Sequence, residues 1–129
     1  LLTMINDDAT IDTTEEAAAS PSAKEEADSK IIALDIAKAK CQEIMQQQLA
    51  LTDKVKLFNS FAASFYLDKD FASAELLLAE ALRIDTKNDA TLRNMVMTQL
   101  RLGNIAKAKK FATEMTMADF ILLDMIAKF

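Results

Sequence analysis

The feature that most limits how this chain can fold is a short segment that occurs twice, 34 residues apart. Lys69-Asp70-Phe71-Ala72-Ser73-Ala74 is followed at that offset by Gly103-Asn104-Ile105-Ala106-Lys107-Ala108, and the same offset joins Glu80 to Glu114. Self-similarity at a fixed period of this size is typical of repeat proteins, whose units bury their apolar faces only against their neighbours. We therefore expect stacked copies of one small unit.

The composition favours helices as the elements of that unit. The 129 residues include one Gly, one Pro and no Trp, and Ala, Leu, Lys, Glu and Met are plentiful. These residues are good helix formers, whereas strands and tight turns need other residues. The length suits one all-α domain.

Apolar spacings of three and four residues, together with residues that can cap helices, divide the sequence into helices. Thr52 and Asp53 are candidate caps between the first two helices, and Gly103 is a candidate left-handed residue at a helix end. The predicted helices are Ser29–Leu51, Asp53–Leu67, Phe71–Ile84, Asp89–Leu102, Ile105–Thr116 and Ala118–Lys128.

The first 30 residues differ from the rest in charge. Residues 1–30 hold eight acidic side chains against Lys24 and Lys30, a net charge of −6, whereas the whole chain carries −5 and residues 31–129 therefore carry +1. A segment with high charge and low hydrophobicity gains too little from burial to offset the entropy lost on ordering. We predict an acidic disordered leader over 1–30 and a helical domain over 31–129.

The residues around the duplicated segment resemble the tetratricopeptide repeat family, with repeats at about 55–88 and 89–122. In the second repeat, Gln99 replaces an expected aromatic residue, and at the end of the first repeat Thr86 stands where the family usually has proline. The resemblance implies antiparallel helical hairpins stacked as a short right-handed superhelix with flanking capping helices. It also implies that the large and small packing residues of the first repeat are buried: Phe58, Phe61, Phe65, Phe71, Ala74 and Leu78.

In that family the first helix of each repeat lines a concave face, and this predicts where a partner binds. Tyr66, Met97 and Leu100 would supply apolar contact, while Arg93 and Arg101 would orient the partner. The partner expected on this face is a peptide or helix of another protein, which makes the chain a non-catalytic adaptor or scaffold. The predicted partner-binding residues are Lys56, Asn59, Tyr66, Arg93, Asn94, Met97, Leu100 and Arg101.

Catalytic, metal and cofactor chemistry is not expected. The chain has no His and a single Cys41, so it lacks the commonest metal ligand and general base and cannot form an internal disulfide. Lys107, Lys109 and Lys110 form a basic group without interleaved aromatic residues, and this is typical of a solvated surface and not of a nucleic-acid site. We predict neither an enzyme nor a nucleic-acid-binding protein.

Two other functions remain open. One is a small tetratricopeptide chaperone that shields an apolar client segment, similar to the chaperones of type III secretion. The other is a structural subunit of a trafficking coat or organelle receptor, because Thr91-Leu92-Arg93-Asn94-Met95-Val96 with Gln99 and Leu102-Gly103 resembles the epsilon subunit of coatomer.

The last predicted helix is apolar on most of its surface, with only Asp119, Asp124 and Lys128 as polar breaks. One face is expected to cap the second repeat, and the other is expected to be exposed and to permit self-association. No apolar run reaches the roughly 20 residues that cross a bilayer. We take the cytoplasm as the default location, and the chain could be a fragment of a longer array.

Overall fold

The computed structural model describes residues 23–117 and 119–128. The chain divides into two units, Leu1–Ile32 and Ala33–Phe129. The described residues form six helices and no strand, which confirms an all-α fold. The helices are α1 Ala23–Gln46, α2 Leu51–Leu67, α3 Phe71–Ile84, α4 Asp89–Leu102, α5 Ile105–Thr113 and α6 Phe120–Ala127.

Helix α1 begins earlier and ends earlier than predicted. Residues 23–30 are helical, so the predicted disorder of the leader is wrong for them, and the rest of the predicted leader lies outside the described residues. The helix ends at Gln46 and not at Leu51. Lys54, which is buried, donates from Nζ to the Met45 carbonyl oxygen at 2.8 Å and so satisfies an acceptor in the last turn of α1.

Helix α2 begins at Leu51, before the two residues predicted to cap it. Ala50 is the N-cap residue and makes no side-chain hydrogen bond, while Thr52 and Asp53 lie inside the first turn. Asp53 can still favour this helix end, because a negative charge interacts well with the positive end of the helix dipole.

In both repeats, the first helix ends with the same turn. Asp70 N donates to Phe65 O, and Asn104 N donates to Gln99 O, each at 2.9 Å. Lys69 and Gly103 occupy the left-handed position of these turns, with φ of 64° and 82°. This is the hydrogen-bond pattern that commonly closes a helix before the chain reverses. The turns therefore create two helical hairpins, α2–α3 and α4–α5, and the left-handed prediction for Gly103 is confirmed.

The hairpins enclose two adjoining clusters of buried apolar side chains. The first cluster joins Cys41 and Ile44 of α1 to α2 and α3, and the second joins α4, α5 and α6. Phe111 packs against both clusters and so connects them. Small residues such as Ala62 and Ala74, both fully buried, allow neighbouring helices to approach closely.

Of the six residues predicted to be buried, three are buried and three are only half-buried. Phe58, Ala74 and Leu78 lie in the first cluster, as predicted. Phe61, Phe65 and Phe71 are half-buried. Lys40 Nζ lies 4.6 Å from the centroid of the Phe61 ring, and the Phe71 ring packs edge-on against Tyr66. These rings cover the rim of the core and do not fill its centre.

A single carboxylate ends α5 and fastens the segment that follows it. Asp89, in the first turn of α4, accepts hydrogen bonds from Thr116 N at 2.8 Å, Thr116 Oγ1 at 2.7 Å and Met117 N at 3.2 Å. Thr113 is therefore the last residue of α5, and the helix does not continue to the predicted Thr116. The hydrogen bond from the Thr116 side chain, supported by those from the Thr116 and Met117 backbone, lowers the pKa of Asp89.

Helix α6 is capped and tied to α4 by one residue. Asp119 Oδ1 accepts from Leu122 N at 3.0 Å, so the helix starts at Phe120 and not at the predicted Ala118. Asp119 Oδ2 accepts from Arg93 Nε at 3.2 Å. The Leu122 amide first, and Arg93 after it, lower the pKa of Asp119. Leu122 and Ile126 then pack into the second cluster.

Candidate partner-binding surface

Helices α2 and α4 present the residues predicted to bind a partner, and an amide bridge joins the two helices. Asn94 Nδ2 donates to Asn59 Oδ1 at 2.9 Å, and Asn59 Nδ2 donates to Thr91 Oγ1 at 2.8 Å. Asn59 Nδ2 also donates to Val55 O at 3.0 Å. Both amide groups of the bridge are thus used within the protein. Asn59 and Asn94 fix the spacing of the first helices of the two repeats.

The bridge continues to the start of α4. Asn88 is the N-cap residue of that helix, and its Oδ1 accepts from Thr91 N at 2.9 Å and from Thr91 Oγ1 at 3.1 Å. Thr91 is fully buried, so its hydroxyl needs these partners. These hydrogen bonds cap α4 and hold it against α2. They lie at the middle of a surface that we call the α2–α4 surface. Its residues are Lys56, Asn59, Ala63, Tyr66, Ala90, Arg93, Asn94, Met97 and Arg101.

An apolar cavity of about 260 Å³ opens at one end of this surface. Tyr66, Asn94 and Met97 line it together with the buried Ala62 and Leu78 and the exposed Ala63. Leu67 and Thr98 complete the lining, although nothing in the sequence singled them out as site residues. The alanines create the cavity, because larger side chains at their positions would fill it.

Tyr66, in the lining of this apolar cavity, also contacts an arginine and a phenylalanine. Arg101 Nε donates to Tyr66 Oη at 3.1 Å, and the guanidinium carbon lies 5.9 Å from the centroid of the Tyr66 ring. The Tyr66 ring also packs edge-on against Phe71, with centroids 5.2 Å apart and planes at 70°. Arg101 is exposed, so an accessible positive charge lies beside Tyr66.

Lys56 and Asn59 line a second, more polar cavity of about 850 Å³ at the other end of α2. Asp85 and Asn88, from the turn between α3 and α4, form its opposite wall. The amide bridge separates this polar cavity from the apolar one. Five predicted residues are therefore found along one strip: Lys56 and Asn59 in the polar cavity, and Tyr66, Asn94 and Met97 in the apolar cavity.

Arg93 lies away from that strip, towards α6. It lines a cavity of about 560 Å³ together with Asp89, Asp119 and Phe120. Its pairing with Asp119 gives it a role in docking α6, which the sequence did not reveal because the two residues are distant in the chain. The Arg93 side chain nevertheless remains about half exposed and can also be reached by a partner.

The structure contradicts the placement of Leu100 on the α2–α4 surface. Leu100 is 4% exposed and packs in the second cluster with Val96 and Ala108. The helical face chosen from the family pattern turns into the core at the last turn of α4. Leu100 therefore stabilises the α4–α5 hairpin, and Arg101, the next residue, takes the exposed position.

Gln99 is buried and lies outside the surface. Its Nε2 donates to Glu75 Oε2 at 2.5 Å, and its Oε1 accepts from Asn104 Nδ2 at 2.9 Å. An amide at this position therefore connects α3 to the turn before α5, which explains a residue that departs from the family pattern.

Cys41, the single cysteine of the chain, is buried. No cluster of three or more Cys, Asp or Glu side chains in 23–117 and 119–128 is placed to hold a metal ion. Burial raises the pKa of the Cys41 thiol to about 11, and the charge of Glu80 acts in the same direction. The thiol is therefore protonated at neutral pH and is a poor nucleophile. No helix in the described part of the chain is long and apolar enough to cross a membrane.

Comparison with protein families agrees with this geometry. The family model described as tetratricopeptide repeat matches residues 65–120, from the end of α2 to the start of α6. No curated protein and no solved structure matches the chain.

Proposed function

Because residues 65–120 form a tetratricopeptide repeat region, we propose that this chain is a non-catalytic adaptor that binds a peptide or helix of a partner protein on its α2–α4 surface. Regions of this family are in general protein–protein interaction modules, and they are generally not catalytic. The observation that carries the proposal is the apolar cavity together with the Arg101 cation, which is hydrogen-bonded to Tyr66 of the cavity lining. Apolar anchors beside an arginine are typical of interface hot spots.

The size of this cavity supports a protein partner. At about 260 Å³ it is smaller than the pockets that enclose drug-sized ligands or cofactors, which begin at about 300 Å³. It suits one bulky apolar side chain. The polar cavity lies further along the same strip, so a helix or extended segment anchored by that side chain could also contact Lys56. An acidic residue near the anchor would pair with Arg101.

The proposal is tested by blocking the cavity without disturbing the core. Ala63 is exposed and lines the cavity, so Ala63→Phe fills it from the solvent side. Partners are first captured on the intact chain and identified by crosslinking and mass spectrometry. Calorimetry should then show that Ala63→Phe weakens binding of the captured partner at least ~10-fold, about 1.4 kcal/mol. Ala106→Phe, at an exposed alanine of α5, is the matched control.

A charge reversal provides a second, independent test. Arg101→Glu should weaken binding by about 1 to 3 kcal/mol if the arginine makes a charge-assisted contact. Arg83→Glu changes an exposed arginine on α3, outside the surface, and should bind normally. Normal affinity for both Ala63→Phe and Arg101→Glu would place the partner elsewhere on the molecule and end the proposal.

A chaperone function is the first alternative, and the apolar surface of α6 favours it. Phe120 and Ile121 are 80% and 78% exposed, as expected of a site that covers an apolar client segment. A chaperone would suppress aggregation of its client in solution, and this activity would depend on Phe120 and Ile121. An adaptor that uses the α2–α4 surface would still bind its partner after the substitutions Phe120→Ser and Ile121→Ser.

A structural subunit of a trafficking coat or organelle receptor is the second alternative. It is favoured by the resemblance of residues 91–96, Gln99 and Leu102-Gly103 to the epsilon subunit of coatomer. In the structure these residues form α4 and the turn after it, and most of them are buried. Co-purification of the intact chain with one stable set of large subunits, in fixed proportion, would favour this function over an exchangeable adaptor.

A further inference from the structure

A groove lies on the side of the hairpins opposite to the α2–α4 surface, between residues 33–46 of α1 and helices α3 and α5. It has a volume of about 650 Å³. Its apolar walls come from Leu34 on α1, Ala72 and Leu76 on α3, and Phe111 on α5. Leu34, Leu76 and Phe111 are half-buried and Ala72 is exposed, so part of each side chain faces solvent. We call this feature the outer groove.

The charges of the outer groove are mainly positive. Lys38 from α1 and Lys107 and Lys110 from α5 belong to its lining, and all three are exposed. Within 33–117 and 119–128, none of these lysines forms a salt bridge with a carboxylate. The one acidic side chain of the lining, Glu75, accepts the hydrogen bond from Gln99. Three cations thus surround an apolar groove whose single carboxylate already has a partner.

We propose that the outer groove binds an acidic amphipathic segment of a partner protein, separately from the α2–α4 surface. Charge complementarity selects this occupant. Leucine-like side chains on one face would cover Leu34, Leu76 and Phe111, and acidic side chains on the flanks would pair with Lys38, Lys107 and Lys110. Neither the lysines nor the apolar walls would select this partner alone, because exposed ion pairs contribute little and the apolar walls do not select for charge.

Other polyanions fit these residues less well. Single-stranded nucleic acid binds through exposed aromatic platforms beside basic residues, whereas the one aromatic residue in the lining, Phe111, is half-buried. A phosphate backbone would leave the apolar walls in water. An anionic membrane presents a broad flat surface, which does not enter a groove between helices.

The test uses the intact chain and a fluorescein-labelled peptide of about 16 residues, long enough for four helical turns. The peptide carries leucines at every third or fourth position and glutamates between them. We expect saturable binding, measured by fluorescence anisotropy, that Lys107→Glu with Lys110→Glu weakens at least ~10-fold. Lys87→Glu with Lys109→Glu makes the same change of charge at two exposed lysines outside the groove, and it should weaken binding less than about twofold.

Two comparisons decide whether the groove, and not charge alone, is responsible. A peptide of the same composition, with its leucines distributed around the helix, should bind at least ~10-fold more weakly. Ala72→Glu, at an exposed position of the groove, should weaken binding, whereas Ala63→Phe on the α2–α4 surface should not. The proposal for the outer groove and the proposed adaptor function can therefore be disproved independently of each other.

Several results would overturn the proposal. They are absence of binding, equal effects of the two lysine pairs, equal affinity for both peptides, and tighter binding of a single-stranded oligonucleotide or phosphatidylserine vesicles than of the amphipathic peptide.

Discussion

Lys69 and Gly103 occupy the same position of two equivalent turns, but only glycine adopts a left-handed conformation without strain. Lys69 has a φ of 64°. Strain of this kind costs a residue with a side chain of the order of 1 kcal/mol. A Cβ at Gly103 would meet no atom within 4 Å, so backbone strain is the main cost of a side chain there.

We therefore expect opposite effects from exchanging residue types at these turns. Lys69→Gly should stabilise the protein by about 0.5 to 1 kcal/mol, and Gly103→Ala should destabilise it by about 1 kcal/mol. Urea unfolding followed by circular dichroism would measure both. A Lys69→Gly variant less stable than the parent would show that the loss of chain entropy at glycine outweighs the relief of strain.

Gln99 illustrates a buried polar residue that the repeat pattern alone would replace. The family pattern has an aromatic residue there, so Gln99→Phe would restore the residue type that the family usually has. We expect it to destabilise the protein by about 1 to 3 kcal/mol, because Glu75 and Asn104 each lose a hydrogen-bond partner and the larger ring strains the core. Gln99→Glu is the control of similar shape, and it should also destabilise by placing two carboxyl groups together. Unfolding of Gln99→Phe at the parent's urea midpoint would contradict this account.

At the scale of elements, α6 depends on two carboxylates for its attachment to α4. Asp89 fastens the segment before the helix, and Asp119 caps the helix and pairs with Arg93. Both pKa values are lowered in the folded protein from their ordinary value of 3.8. A lowered pKa means that the folded state binds protons less readily than the unfolded state, so these contributions are present above pH 3.8 and are lost as the pH falls below it.

We therefore expect α6 to detach on acidification before the hairpins unfold. As the pH falls below 3.8, NMR signals of Leu122 and Ile126 should move towards those of an unfolded chain, while those of Phe58 and Leu77 remain native. Asp119→Asn should reduce the part of this transition that depends on Arg93. Simultaneous loss of all four sets of signals would mean that α6 and the hairpins unfold as one unit.

At the scale of the whole molecule, the exposed side of α6 is an apolar surface that no described residue covers. Phe120, Ile121, Leu123 and Met125 are its exposed members. We expect concentration-dependent self-association, seen by light scattering, that Phe120→Ser with Ile121→Ser abolishes. Leu67→Ser with Ile36→Ser removes two exposed apolar side chains outside α6 and should leave association unchanged. A strict monomer at high concentration would contradict the prediction.

The parts of the fold that the sequence predicted well are those encoded by neighbouring residues. Helices α3 and α4 have the predicted bounds, because Asp70 and Asn88 cap their starts and Gly103 follows the end of α4. The end of α5 was missed because it depends on Asp89, which is distant in the chain, and the start of α6 was missed because the sequence did not identify Asp119 as its cap. Leu100 was misplaced for a related reason: the face that a helix buries depends on its neighbours, and α5 and α6 cover the last turn of α4.

The amide bridge at the centre of the α2–α4 surface has a consequence for selectivity. Asn59 donates to Val55 O and Thr91 Oγ1 and accepts from Asn94, so its amide is already hydrogen-bonded within the protein and has little to offer a bound peptide. Recognition then depends on how well one side chain fills the neighbouring cavity, and a missing methylene costs only about 1 to 3 kcal/mol in such a fit. The surface should thus tolerate sequence variation among its ligands, accepting leucine, methionine or phenylalanine as anchor with graded affinity.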